Sequence, residues 1–178
     1  MIRIHIPGFY NSDKGGPRWG DAQIIDDGKY YEVIDGYDTQ GTDILIATLK
    51  VRKITRPYLY ITHPHYDHYF GIRQIIRDSY FKPRRLYVPA PESYGDVSGE
   101  VRGNKQALRN IIAEAKDKGI PVSYLWNEQT ITHGEIRFTV YQDTACKYDG
   151  NSEGYVNDRS LAFWFPELSY LTTGDAGM

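Results

Sequence analysis

This sequence predicts a mixed fold, α/β or α+β. Three observations carry the prediction. Short runs of β-branched and aromatic residues recur along the chain, bounded by Gly, Pro, Asn and Asp. Segments with apolar residues three and four positions apart alternate with them. No repeat, low-complexity tract or interdomain linker interrupts the alternation, so residues 1–178 read as one domain. A chain of 178 residues can bury a sizeable core, and 40% hydrophobic with 25% charged residues is ordinary globular composition.

The elements follow in order. Residues 2–6 alternate apolar and polar and predict a strand. Residues 7–20, with Gly15-Gly16-Pro17, predict a loop. Residues 22–25 and 30–34 flank Asp26-Asp27-Gly28-Lys29, a hairpin signal. Ile44, Leu45, Ala47, Thr48 and Val51 suggest a helix over 44–51, running toward Arg56-Pro57. Tyr58-Leu59-Tyr60-Ile61 reads as a short buried strand, and Ile72, Ile75 and Ile76 repeat at helical spacing soon after it. Leu86-Tyr87-Val88 is a strand stopped by Pro89 and Pro91. The clearest helix covers 103–118: Ala107, Leu108, Ile111, Ile112 and Ala115 form one stripe, Asn104 is the expected N-cap, and Gly119 with Pro121 ends it. Residues 122–126, 136–141, 161–165 and 170–172 read as strands. Sixteen tyrosines suit half-buried strands better than a ligand cleft.

Bulk properties exclude several classes of function. A net charge of -2 gives no overall attraction to nucleic acid or anionic membrane, although a local basic groove is compatible with it. The single Cys146 cannot form an internal disulfide and reads as a structural buried thiol. No stretch approaches the roughly 20 apolar residues of a membrane helix, and residues 1–8 are too short and mixed for a signal peptide. The expected setting is cytoplasmic, or secreted as part of a longer protein. P-loop and C-x-x-C motifs are absent from the sequence. His5 and His133 read as structural, His133 in a turn. Lys82, Arg84 and Arg85 form a small basic group that reads as a solvated face, with contact to a phosphate backbone as its functional alternative.

The chemistry concentrates in Thr62-His63-Pro64-His65-Tyr66-Asp67-His68-Tyr69-Phe70-Gly71, where three of the five histidines and an aspartate fall within six residues. Imidazoles and a carboxylate suit Zn²⁺ or another first-row divalent ion. A strand ending at His63 fixes the backbone, so the loop beyond it can point several side chains at one place.

This run resembles the H-x-H-x-D-H signature of the metallo-β-lactamase superfamily. Gly20-Asp21-Ala22 and Val33-Ile34-Asp35-Gly36 resemble its opening hairpin, and Asn157-Asp158-Arg159-Ser160-Leu161 and Thr173-Gly174-Asp175-Ala176 resemble its later motifs. Together they look most like the hydrolase domain of the bacterial competence protein ComEC. The resemblance implies an αββα sandwich and two divalent metal ions, Zn²⁺ first and Mn²⁺ as the alternative. It implies His63 and His65 on the first ion, Asp67 and His68 on the second, and Asp175 bridging them. Asp67 would also be catalytic, orienting the nucleophile. Asp35 would hold a ligand imidazole through a hydrogen bond, its bland alternative being a carboxylate that caps a turn.

Two departures accompany the resemblance. Most superfamily members supply a further histidine before the strand that carries Ser160, where this chain offers Asn157 or Asp158. The family also continues past the bridging aspartate with more strands, a helix and another histidine. The chain therefore reads as cut short at its C-terminus, with an exposed sheet edge that a missing segment or a partner would cover. The leading expectation is a hydrolase using metal-activated water on a phosphodiester, with DNA or another nucleic acid as the implied partner and other small hydrolysable substrates still open. The substrate-binding residues are unknown. The alternative is a non-catalytic or weakly metal-binding domain that serves assembly or substrate binding in a larger protein.

Overall fold

The structure, a computed structural model, describes residues 1–7 and 21–176. Of the expected loop over 7–20, residues 8–20, including Gly20 of the opening motif, lie outside the described residues. Strand β1 (Arg3–His5) pairs antiparallel with β2 (Gln23–Asp26), and β2 with β3 (Tyr31–Ile34). Parallel pairing then continues through β4 (Tyr58–Tyr60), β5 (Arg85–Pro89) and β6 (Val122–Leu125), giving a six-stranded sheet in sequence order. A second, antiparallel sheet has the order β10-β9-β8-β7, with β7 (Thr130–His133), β8 (Ile136–Tyr141), β9 (Ala162–Phe165) and β10 (Tyr170–Thr172).

Strand alternation divides the core into two layers. Ile24, Val33, Leu59, Leu86 and Val88 face helices α1 (Thr39–Val51), α2 (Tyr66–Arg77) and α3 (Gly99–Asp117). Ile25, Ile34, Tyr60 and Tyr87 face the second sheet, where Phe138, Val140, Phe163 and Phe165 meet them. The two-sheet sandwich with helices outside matches the expected fold class. The outer face of the second sheet carries Tyr141 and Leu171, 43% and 50% exposed. Among the described residues, no helix is long and apolar enough to cross a membrane.

Several boundaries differ from expectation, each for a local reason. Helix α1 begins five residues before Ile44, because Asp38 Oδ1 accepts the Gly41 N–H at 3.1 Å and caps an earlier turn. Helix α3 begins at Gly99, and its N-cap is Ser98, whose hydroxyl accepts from Val101 N; Asn104 lies inside the helix. Residues 152–158, assigned no element from sequence, form α4 (Ser152–Asp158), capped by Asn151. Strand β7 has only Ile131 as an apolar signal, and His133, expected in a turn, closes it. Cys146 is half-buried rather than enclosed.

Two contacts set where the helices sit. Gly36, just after β3, and Gly71 in α2 meet backbone to backbone. A Cβ on Gly71 would collide with the Gly36 carbonyl, and one on Gly36 with the Ile72 amide. On the outside, Glu114 of α3 receives Arg73 and Arg77 of α2. The Arg73 hydrogen bonds, opposed by partial burial and aided by Arg77, lower the Glu114 carboxyl to about 2.

Gly71→Ala is expected to destabilise the protein by about 2–3 kcal/mol, since backbone cannot yield as a side chain does. Gly103→Ala, where an added Cβ meets nothing within 4 Å, should be neutral or stabilising by up to about 1 kcal/mol. Urea unfolding of both variants checks this. Because the folded Glu114 is the stronger acid, its ion pairs stabilise fully above the unfolded carboxyl value of 4.5 and are lost as pH falls toward 2. Glu114→Gln should remove about 1 kcal/mol of stability at neutral pH and flatten that acid limb in denaturation measured from pH 6 to 2.

Candidate metal centre

The site begins with Asp35, which ends β3 in a left-handed conformation (φ 57°) and is buried. Its backbone N–H continues the parallel ladder to the Tyr60 carbonyl. Its carboxylate turns under the next segment: Oδ1 accepts from Thr62 N at 2.8 Å and Oδ2 from the Thr62 hydroxyl at 2.7 Å. Oδ2 also lies 2.9 Å from His68 Nδ1. The bonds locate the strand end and the first turn of α2 together.

Proton inventory then sets the ring tautomers. The Thr62 hydroxyl gives its one proton to Asp35, so at 3.0 Å it accepts from His63 Nδ1–H. That leaves the His63 Nε2 lone pair facing outward. His68 donates from Nδ1 to Asp35, and its buried Nε2 has no hydrogen-bond partner. The freed positions converge. His63 Nε2 is 3.1 Å from His65 Nδ1 and 4.0 Å from Asp175 Oδ2. His68 Nε2 is 3.3 Å from Asp175 Oδ2 and 3.7 Å from Asp67 Oδ2. Donor atoms of His63, His68 and Asp175 all lie within 4.8 Å of one another. Ligand atoms on one tetrahedral zinc are about 3.3 Å apart, so this spacing and these donors fit a divalent cation.

Asp175 reaches the cluster from the other sheet. Gly174 before it has φ 54°, and a Cβ there would lie 2.7 Å from Thr62 Oγ1. Glycine therefore lets the chain after β10 close over the strand end. Gln23 of β2 holds β10 in place, donating to Thr172 Oγ1 at 2.8 Å and accepting from Tyr170 OH at 2.9 Å. The Leu161 N–H bonds the Thr62 carbonyl, tying the start of the β9 segment to the same point.

The electrostatics favour a positive ion. Burial, with His68 and His65 nearby, holds His63 well below the usual imidazole range, leaving it neutral. Burial also lowers His65, only partly offset by Asp67. His68 behaves differently: burial opposes charging it, but Asp35 and Asp175 outweigh burial and push it up to about 10. The point its Nε2 faces thus favours a cation. Asp175 is lowered chiefly by its contact with His68.

The expected residues divide by position. His63, His65, Asp67, His68 and Asp175 come together, with Asp35 beneath them. Asn157, on α4, lies against His65, and its side-chain oxygen is buried without a hydrogen-bond partner. Asp158 faces a separate groove with Asn127, Gln142 and Asp143. Two residues were given no role from sequence. Thr62 transmits Asp35's hold to His63. Asp21 also faces the cluster: partial desolvation and then the Asp35, Asp175 and Asp67 charges raise its carboxyl, against the pull of His68. The Gly20-Asp21-Ala22 motif was the available signal for it.

No protein-family model matches the chain, and no curated protein matches it. Solved structures do. A Thermotoga maritima protein described as a metallo-β-lactamase aligns over 92% of this chain and 72% of its own, with 13% identity and a TM-score of 0.57. The BLEG-1 B3 metallo-β-lactamase aligns over 97% of this chain and 71% of its own, at 19% identity and a TM-score of 0.53. The rubredoxin oxygen:oxidoreductase of Desulfovibrio gigas aligns over 85% of this chain but only 32% of its own, at 18% identity and a TM-score of 0.56. The fold is that of the metallo-β-lactamases. Hydrolysis does not follow from it, since an oxidoreductase shares it.

Asp35→Ala should weaken zinc binding about 10–100-fold, because it releases the ring it orients while leaving every converging donor in the chain. Equilibrium dialysis against buffered Zn²⁺ measures this. An unchanged affinity would show that the carboxylate is only a turn cap.

Proposed function

We propose that this protein is a metal-dependent hydrolase with a dinuclear centre. The convergence of His63 Nε2, His65 Nδ1, His68 Nε2, Asp67 and Asp175 at the end of β4 carries the proposal. His63 and His65, with the orphaned Asn157 oxygen, would hold a first ion. Asp67 and His68 would hold a second, and Asp175 would serve both. Such ions act as Lewis acids and bring a coordinated water's pKa toward neutrality. An oxygen donor in place of a third histidine makes Mn²⁺ a closer competitor of Zn²⁺.

The chain's own groups supply the rest. His63 and His65, kept neutral by burial, offer lone pairs rather than protons. Asp67, half-buried in the first α2 turn with Oδ2 3.7 Å from His68 Nε2, would accept a hydrogen bond from the attacking water and aim it. A phosphodiester is the substrate class, supported by the ComEC-like motifs Gly20-Asp21-Ala22, Asn157-Asp158-Arg159-Ser160-Leu161 and Thr173-Gly174-Asp175-Ala176. DNA is the partner those motifs suggest. One observation favours a second reading, a weakly metal-binding domain without catalysis. Among the described residues a single compact group, His63, His68 and Asp175, meets the spacing of a closed site.

Elemental analysis and bis(p-nitrophenyl) phosphate turnover separate the two. The protein saturated with Zn²⁺ or Mn²⁺ should hold about two ions per chain and cleave the ester. His65→Ala should lose turnover and bound metal while keeping its circular dichroism spectrum. A chain that binds no ion at saturating metal is not this enzyme. A chain that holds two ions but leaves the ester intact has another substrate.

A further inference from the structure

A second built feature lies away from the metal centre, at the corner where edge strands β6 and β7 bring the two sheets together. An open groove of about 470 Å³ runs there between Arg85 and Tyr87 of β5, Tyr124 of β6 and His133 of β7, and continues to Trp126. Its floor is ordered by an unusual core residue. Glu32 is 0% exposed between the sheets, where an apolar side chain would be expected. Tyr60 OH donates to Glu32 Oε2 at 2.7 Å, and His133 Nδ1 lies 3.0 Å from Oε1. The other ring nitrogen, Nε2, lies 3.2 Å from Tyr87 OH, within hydrogen-bond reach. The His133 ring is stacked on Tyr58, centroids 3.6 Å apart and planes within 3°. Burying a carboxylate is costly even when both oxygens have partners, so the network is an expensive way to fill space. What it achieves is a fixed orientation of His133 and Tyr87 at the groove wall.

The arrangement suits recognition and not catalysis. It has the outline of an acid–imidazole–hydroxyl relay, but burial pushes the Tyr87 phenol up to about 12. At neutral pH it keeps its proton and is neither base nor nucleophile. Charge and shape indicate what is recognised. Among the described residues, Arg85 is the only fully charged side chain lining the groove, and no carboxylate lines it. Its guanidinium lies over the Tyr87 ring and spends one donor on Ser123 Oγ, at 2.6 Å, leaving others available. The rim is aromatic and uncovered, with Trp126 60% and Tyr124 41% exposed.

We propose that this groove binds a planar aromatic ring bearing an anionic group, the ring against Trp126 and Tyr124 and the anion on Arg85. A nucleoside monophosphate and an aromatic carboxylate share that chemistry. The inference does not depend on the hydrolase reading.

Calorimetric titration with adenosine 5′-monophosphate, benzoate, adenosine and inorganic phosphate tests it. At least one of the two ring-bearing anions should bind saturably with Kd below about 1 mM, while adenosine and phosphate alone bind about tenfold or more weakly. Binding of the monophosphate alone identifies a nucleotide, and of benzoate alone a small organic acid. Arg85→Gln and Trp126→Ala should each weaken binding about tenfold. His65→Ala, at the metal centre, should leave it unchanged. Should Arg85→Gln fail to fold, Trp126→Ala at an exposed position still decides. The proposal is overturned if neither anion saturates, if Trp126→Ala leaves the affinity unchanged, or if binding disappears in His65→Ala.

Discussion

Three hydrogen bonds to the Asp35 carboxylate organise this molecule's chemistry. They reach the Thr62 amide, the Thr62 hydroxyl and His68 Nδ1. Through the hydroxyl they also decide which nitrogen of His63 carries its proton. One side chain thereby fixes a strand end, a helix start and two tautomers. The carboxylate can do this only because its backbone adopts a left-handed conformation and because Gly36, next to it, lets α2 approach to backbone contact. Those two features look like incidental turn geometry, and without them the histidines would not share a focus.

Four carboxylates, Asp21, Asp35, Asp67 and Asp175, crowd around three imidazoles. Burial first, and then the neighbouring carboxylates, raise the Asp21 carboxyl against the pull of His68. The same crowd raises His68 far above an ordinary imidazole. A cluster of this kind stores unfavourable electrostatic energy that a multivalent cation relieves, which is why metal chemistry is the natural reading of the geometry. The fold contributes position and not reaction type: metallo-β-lactamases and a rubredoxin oxygen:oxidoreductase share it.

Features with a local cause could be read from sequence. The hairpin of β2 and β3, strands β4 and β5, and the apolar stripe of α3 all follow from short-range pattern and turn residues. The start of α3 could not, because Gly99 and Gly103 look like breaks until Ser98 is seen capping the turn. Strand β7 carries one apolar residue and exists because β8 pairs with it. The site divides the same way. His63, His65, Asp67 and His68 are contiguous and announce themselves. Asp175 was legible only through family resemblance, since an isolated Gly-Asp is an ordinary turn. Asn157 was legible through the same resemblance, and Asp21 stood in the Gly20-Asp21-Ala22 motif without a role, because its place beside the cluster comes from tertiary packing. His133 looked inert in sequence because its partner Glu32 lies 101 positions away.

The converging donors are not held with equal firmness. Four belong to the β4–α2 junction, flanked by strands on both sides and locked by Asp35. The fifth, Asp175, follows β10, a three-residue strand at the edge of its sheet. Edge strands open at a fraction of the free energy of global unfolding. Asp175 is thus the least firmly held of the five donors. An ion would enter and leave by fraying of β10, its residence time governed by the Gln23 bridge to Thr172 and Tyr170. Amide exchange at residues 170–172 would then keep pace with metal exchange, while the amides of β4 stayed protected through both.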